Sequence, residues 1–296
     1  MDQAKGLRNI VSNNANTRRK TTMALKQLPK VIAVTSGKGG VGKTNIVGNL
    51  AVALTKIGKK VVIIDADVGL ANIDIIFNLR PKYSLRHVIN SEKTLDQVMV
   101  TTDHGIQILP GGSGFADLTN LSEGEKLNLL SEFETLYDKA DIIFVDTGAG
   151  ISSNVLYFNS ACDECIVVAT QEPTSITDAY AMIKVMSQSY KTKYFKLIVN
   201  MVDSSEKAKK VYSLLSNALD KFLQSVVLEY LGYINFDKNL QIAVQKKKLI
   251  MDMDSEAESA KAIKIIAADL CNNLSSKEVS KGRLTFFANK IFHAAI

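Results

Sequence analysis

The residues most capable of chemistry lie in one short stretch, Gly37 to Thr44, which holds four glycines, two lysines and a hydroxyl within eight positions. Gly37, Gly42, Lys43 and Thr44 satisfy the pattern G-x4-G-K-[ST], which binds the phosphates of a nucleotide. Glycines let successive backbone N–H groups turn inward as an anion nest, and a helix starting at the lysine adds the partial positive charge of its N-terminus. A lysine at position 43 can bridge the β- and γ-phosphates, and the Thr44 hydroxyl can ligate Mg2+. The expected phosphate cradle is Gly37, Gly39, Gly40, Val41, Gly42, Lys43, Thr44 and Asn45.

Acids follow at the ends of two apolar runs. Val61–Ile64 leads into Asp65 and Asp67; residues i and i+2 of a strand share a face, so both carboxylates can enter one crevice. Ile142–Val145 leads into Asp146, an acid suited to hold Mg2+ through water. The glycines of Thr147–Gly150 predict a loop able to rearrange when a γ-phosphate leaves. Strand-end acids capping ordinary turns would look similar; their order behind the phosphate loop favours the nucleotide reading.

The elements that must position these groups are legible as alternation. Apolar runs at 31–35, 61–65, 106–109, 141–146, 165–170, 195–201 and 226–234 alternate with helical periods at 44–57, 122–138, 174–189, 205–222 and 255–273. Near-continuous Val/Ile runs predict strands buried on both faces. The fold class is therefore α/β, a three-layer P-loop NTPase fold with a mostly parallel twisted sheet and helices on both faces. A chain of 296 residues with 46% hydrophobic and 22% charged residues can bury such a core. The apolar runs are too short to span a bilayer, no secretory signal pattern opens the chain, and three cysteines do not make a disulfide framework. The expectation is a cytoplasmic protein.

The net charge of +6 is unevenly placed. Residues 1–30 carry seven cations against Asp2, and the last twenty carry four against Glu278, so the body between them is acidic. Basic ends can touch a partner, a membrane or nucleic acid, or remain solvated tails. The sequence divides as 1–30, a partner-binding segment and linker; 31–275, a nucleotide domain; and 276–296, an amphipathic helix. Within the last, Leu284, Phe287 and Ile291 share a helical stripe with Phe292 at its edge. Four large apolar residues at ~1.5–3 kcal/mol each give roughly 6–12 kcal/mol gross, and ordering the segment consumes about as much. One copy should bind a membrane interface weakly, and two copies together firmly. The same stripe could instead dock on the protein's own surface.

Lys38 inside the loop, giving K-G-G-V-G-K-T, resembles the deviant Walker A sequence of the MinD/ParA family of P-loop ATPases. The resemblance implies ATP and Mg2+ as cofactors and a homodimer in the ATP state, with Lys38 reaching the partner's nucleotide. It casts Lys38, Lys43 and Asp67 as the catalytic set: Asp65, Asp67, Gly69, Leu70 and Asn72 look like switch I, in which Asp67 positions the attacking water. Thr44, Asp65 and Asp146 are the implied metal set. Asn200 resembles the strand-end Asn that reads adenine, and Gly232–Asp237 a family segment in which Asn235 replaces proline, so Asn200 and Asp237 are the implied base contacts; ordinary turn chemistry would also produce both. No guanine-reading N-K-x-D string occurs, which favours ATP.

Asp2, Gln3, Ala4, Leu7 and Arg8 match the D-Q-A-x-x-L-R motif of the FlhG branch of this family. That likeness implies docking to an FlhF-type GTPase, with Gln3 completing the partner's site. The tail around Leu284, Phe287, Ile291 and Phe292 resembles the MinD membrane-targeting helix and implies reversible attachment to membrane lipid at the inner face of the cell membrane. The implied role is a slow ATPase controlling flagellar number or placement. Flagellar switch proteins or a flagellar transcription factor are further partners, through which it would act as an ATP-switched anti-activator. A ParA-type partition ATPase would instead bind DNA non-specifically; no specific nucleic acid is expected. Cys162 and Cys165, a lone C-x-x-C, are read as packing residues, although an iron–sulfur relative could bridge a dimer through them. His87, His104 and His293 show no triad or metal spacing, and Gly111–Gly114 reads as a turn.

Overall fold

A computed structural model describes residues 28–67, 72–112 and 121–272. Among the described residues eight strands form one sheet: β1 (Lys30–Ser36), β2 (Val61–Ala66), β3 (Val100–Thr101), β4 (Gln107–Leu109), β5 (Ile142–Ala149), β6 (Glu164–Ala169), β7 (Tyr194–Val202) and β8 (Val227–Asn235), in the order β3-β4-β2-β5-β1-β6-β7-β8. All neighbours are parallel except β3 with β4.

Alternation along the strands sets the layers. Ile32 and Val34, Val61 and Ile63, Ile142 and Phe144, and Ile166 and Val168 face one side. There they meet α1 (Lys43–Lys56) and three later helices, the short α9 (Lys238–Gln245) and α10 (Ile250–Met253) and then α11 (Glu258–Asn272). Val62, Ile64, Ile143 and Val145 face the other side, against α3 (Leu85–Ile89), α4 (Leu95–Val98), α5 (Glu123–Glu134) and α6 (Ser153–Ala161). Val167, Leu197 and Val199 meet α7 (Pro173–Tyr190) and α8 (Ser205–Phe222) on that same side. The two-residue side-chain period of a strand makes a sheet of Val and Ile two-faced, and helices must cover both faces.

The long elements stand where the sequence pattern puts them. Departures are local: α5 ends at Glu134 and continues as a single 3-10 turn, and β3, α2 (Ile73–Ile76), α3, α4, α9 and α10 are too short to impose a period. Thr147–Ala149, expected as loop, continue β5 and are pinned by pairing of Thr147 with Ala66 and of Ala149 with Ser36; the chain turns only at Gly150, at φ 91°. No helix among the described residues is long and apolar enough to cross a membrane. The motif at Asp2–Arg8, the helix around Leu284, Phe287, Ile291 and Phe292, and Val68–Ala71 lie outside the described residues.

Candidate functional site

The phosphate loop is built by close approach. Gly37 lies so near α7 that a Cβ there would meet the Asp178 carbonyl carbon at 2.2 Å. Gly42, at φ 93°, precedes α1, and a Cβ on it would sit 2.5 Å from the Asn200 side-chain nitrogen. Both positions therefore require glycine, one for contact and the other for contact and backbone conformation together. Gly39 and Gly40 face open space. Val41 is buried, and its carbonyl accepts from Asn200 Nδ2 at 2.8 Å.

Gly39, Gly40, Gly42, Lys43, Thr44, Asn45, Asp67, Asn200 and Asp237 line one cavity of about 850 Å³. Asp65 and Asp146 are buried side by side, their Cα atoms in register on adjacent strands. Burial, then the neighbouring Asp146, pushes the Asp65 carboxyl up to about 7. Asp146 is also pushed up to about 7, by burial first, against the pull of the Thr44 hydroxyl and the Lys43 ammonium. Lys43 itself is lowered by burial, with Asp146 and Asp67 opposing. One Asp146 oxygen, Oδ1, is buried with no protein partner. A divalent cation would supply both the missing partner and the missing positive charge, so Thr44, Asp65 and Asp146 fit Mg2+. Among the described residues no cluster of three His, Cys, Asp or Glu makes an all-protein metal cage.

The base side is only partly as expected. Asn200 lines the cavity, and its Oδ1 is buried and unpartnered. With Nδ2 held by Val41, that free acceptor suits an exocyclic amino group. Asp237 also lines the cavity, but its carboxylate is engaged: Oδ1 accepts from Asn239 N at 2.8 Å, and Oδ2 accepts from Ser259 N at 3.2 Å and Oγ at 2.7 Å. Burial raises its pKa, but these hydrogen bonds outweigh it and leave a net lowering. Asp237 thus ties α9 to α11 and shapes the wall. Sequence reasoning missed Ile75, Ile76, Met201, Phe236, Leu240 and Val244, which give the same cavity its large apolar side chains. Met201 sits at φ 56°, an uncommon conformation for a side chain of its size.

Lys38 does not line this cavity. Its Nζ lies 2.6 Å from Glu172 Oε2 and 3.2 Å from Thr174 Oγ1 at the start of α7, with 40% of the side chain exposed. Cys165 is buried within β6, its thiol pushed up to about 12 by burial, and the Cys162 thiol donates to the Phe158 carbonyl; the pair does not offer two surface thiolates. His87 Nδ1 accepts from Ser84 N, and His104 pairs with Asp252 at 3.0 Å. Gly112 is in a turn at φ 52°, and residues 113–114 lie outside the described residues.

A strand–loop–helix phosphate cradle with acids at the ends of two adjacent parallel strands defines a P-loop nucleotide hydrolase. Comparison with known proteins narrows the class. Residues 27–271 match the family described as ParA: NUBPL iron-transfer P-loop NTPase. The chain is 37% identical over 262 residues to the antiactivator FleN of Pseudomonas aeruginosa, covering 88% of this chain and 93% of that protein. It is 36% identical over 264 residues to the flagellum site-determining protein YlxH of Helicobacter pylori, covering 88% and 89% respectively. Among solved structures, the MinD cell division protein of Aquifex aeolicus superposes with a TM-score of 0.65 at 27% identity, over 85% of this chain and all of that one. The chain belongs to the FlhG-type branch of the MinD/ParA family of P-loop ATPases, enzymes that hydrolyse ATP with Mg2+.

Proposed function

We propose that this ATPase is a nucleotide-controlled regulator of flagellar number or placement, which dimerises around ATP and acts through a GTPase partner and the membrane. The observation that carries the reading is the division of labour between two lysines. Lys43 is buried against the acids of its own site, whereas Lys38 stands outside the cavity on an exposed ion pair, available to a second copy's nucleotide. Support for the flagellar role comes from the two relatives, one named for determining the flagellum site and one as an antiactivator.

In this reading the phosphate loop and Lys43 hold the ATP phosphates, and Asp67 orients the water that attacks the γ-phosphate. Thr44, Asp65 and Asp146 would hold Mg2+, which would supply positive charge against the phosphate oxygens. ATP binding joins two chains and brings two copies of the tail at 276–296 to the inner face of the cell membrane, so that two weak contacts act as one strong one. The segment 1–30, through Asp2, Gln3, Ala4, Leu7 and Arg8, then engages an FlhF-type GTPase. The test is sedimentation with anionic liposomes in ATP and in ADP, for wild type, Lys38→Ala and a chain ending at Lys281. ATP-dependent pelleting lost in both variants is the expected result; absence of pelleting under every condition refutes the membrane step.

A second reading is supported by the name of the Pseudomonas relative: an ATP-switched anti-activator that binds a flagellar transcription factor. Pull-downs with the GTPase and with the regulator, each in ATP and ADP, separate the two.

A further inference from the structure

We propose that Asn159, on α6, is a positioning residue for ATP hydrolysis, which clamps the strand end bearing Asp146 to the strand that leads into the phosphate loop. Asn159 Nδ2 lies 2.9 Å from Thr35 Oγ1 on β1, and Asn159 Oδ1 lies 3.5 Å from Thr147 Oγ1 on β5. The Thr147 hydroxyl is also 3.1 Å from the Val34 carbonyl. All three side chains are almost completely buried, and Thr35 is closed off behind by Met182 Sδ of α7 at 3.5 Å. Turning the amide over gives an unbroken chain in which the Thr35 hydroxyl donates to Asn159, Asn159 donates to Thr147, and Thr147 donates to the Val34 carbonyl. Either orientation joins β1 to β5 through one side chain.

Thr147 is the residue this bridge controls. It stands between Asp146, assigned above to Mg2+, and Gly148, where a Cβ would meet Asp67 Oδ1 at 3.4 Å. Thr35 stands two residues before Gly37. A shift of either strand end therefore changes the spacing between the phosphate loop, the magnesium acid and the water-positioning acid. Burial of a polar side chain is unfavourable without partners, and an apolar residue facing the same core would pack without this requirement. An amide bridging the Thr35 and Thr147 hydroxyls gives a defined distance between two strand ends, and reactive geometry is sensitive to displacements of this kind. Asn159 touches neither the loop amides nor Lys43, which would hold the phosphates, nor the Asp65 and Asp146 carboxylates themselves, so its loss should act on turnover more than on affinity.

The experiment compares Asn159→Leu, Thr147→Val and Thr147→Ser in the full chain. Steady-state ATP hydrolysis gives kcat, and titration with a fluorescent ATP analogue gives affinity. Loss of one oriented hydrogen bond predicts about a tenfold fall in kcat, with affinity changed by less than about twofold. Thr147→Ser should retain the wild-type rate, Thr147→Val should match Asn159→Leu, and the double variant Asn159→Leu/Thr147→Val should be no slower than the worse single one. The threonine pair decides the matter even if Asn159→Leu does not fold. Unchanged kcat in Thr147→Val, equal loss of kcat and affinity, or additive effects in the double variant would overturn the proposal.

Discussion

Replacing Glu172 by glutamine should make ATP-dependent dimerisation easier, by an amount that the geometry bounds. In the single chain Lys38 is held by Glu172 at 2.6 Å, with the two side chains 40% and 61% exposed. If Lys38 must reach a partner's nucleotide, this pair breaks in each of the two chains. Exposed ion pairs contribute about 0.2–1 kcal/mol, so removing two shifts the dimer by roughly 0.4–2 kcal/mol, about two- to thirtyfold in the association constant. The helix start should survive, because the Glu172 side chain makes no cap hydrogen bond and Pro173 follows in the first turn. Thr174, 3.2 Å from Lys38 Nζ, limits the gain. Sedimentation velocity with ATP in an Asp67→Ala background, in which the role proposed for Asp67 predicts no turnover, reads the constant directly. The gain should fade at high salt as the pair in wild type is screened. A dimer of Glu172→Gln that is no tighter, or a gain that persists in 1 M salt, refutes the reasoning.

Glycine substitutions should separate sharply. Gly37→Ala should destabilise by about 1–3 kcal/mol or more, because its Cβ meets helix backbone at 2.2 Å, whereas Gly39→Ala meets nothing within 4 Å and should leave thermal unfolding unchanged. In the metal-free protein, Asp65 and Asp146 have pKa values raised from 3.8 to about 7. The folded state then holds protons that the unfolded state has released, so stability should decline as pH rises from about 4 to about 7. Mg-nucleotide binding, which needs the carboxylates ionised, should tighten over pH 6–8; calorimetry showing flat proton release across that range would refute the assignment. Near the N-terminal ends of β1, β6 and β7, away from the cavity, Glu164 bridges Lys30 at 2.5 Å and Lys196 at 3.0 Å, with both lysines buried. Glu164→Gln should destabilise by about 3–5 kcal/mol in denaturant titration and leave nucleotide affinity intact.

What the sequence by itself determined is the chemistry that is local along the chain. Gly37–Thr44 make a phosphate nest from consecutive backbone groups, so their spacing carries nearly all the information needed. Asp65 and Asp146 follow apolar runs whose near-continuous Val and Ile content is enough to predict strands buried on both faces. Elements such as α9 and α10 were illegible because so few residues impose no period, and the apolar wall of Leu240 and Val244 depends on them. Met201 carries no signal of its left-handed backbone, which arises beside the register shift between β7 and β8.

Only the tertiary structure decided which distant groups meet. That β5 lies between β1 and β2, placing Asp146 beside Asp65, is a property of strand order. Asp237 reads in sequence as a base contact, yet its carboxylate is engaged by Ser259, twenty-two residues away. Lys38 finds Glu172 across 134 residues, and Asn159 finds Thr35 across 124. Local periodicity specifies which face of an element is apolar; the side chains that touch across the sheet are set by how whole elements pack, which neighbouring residues along the chain do not encode.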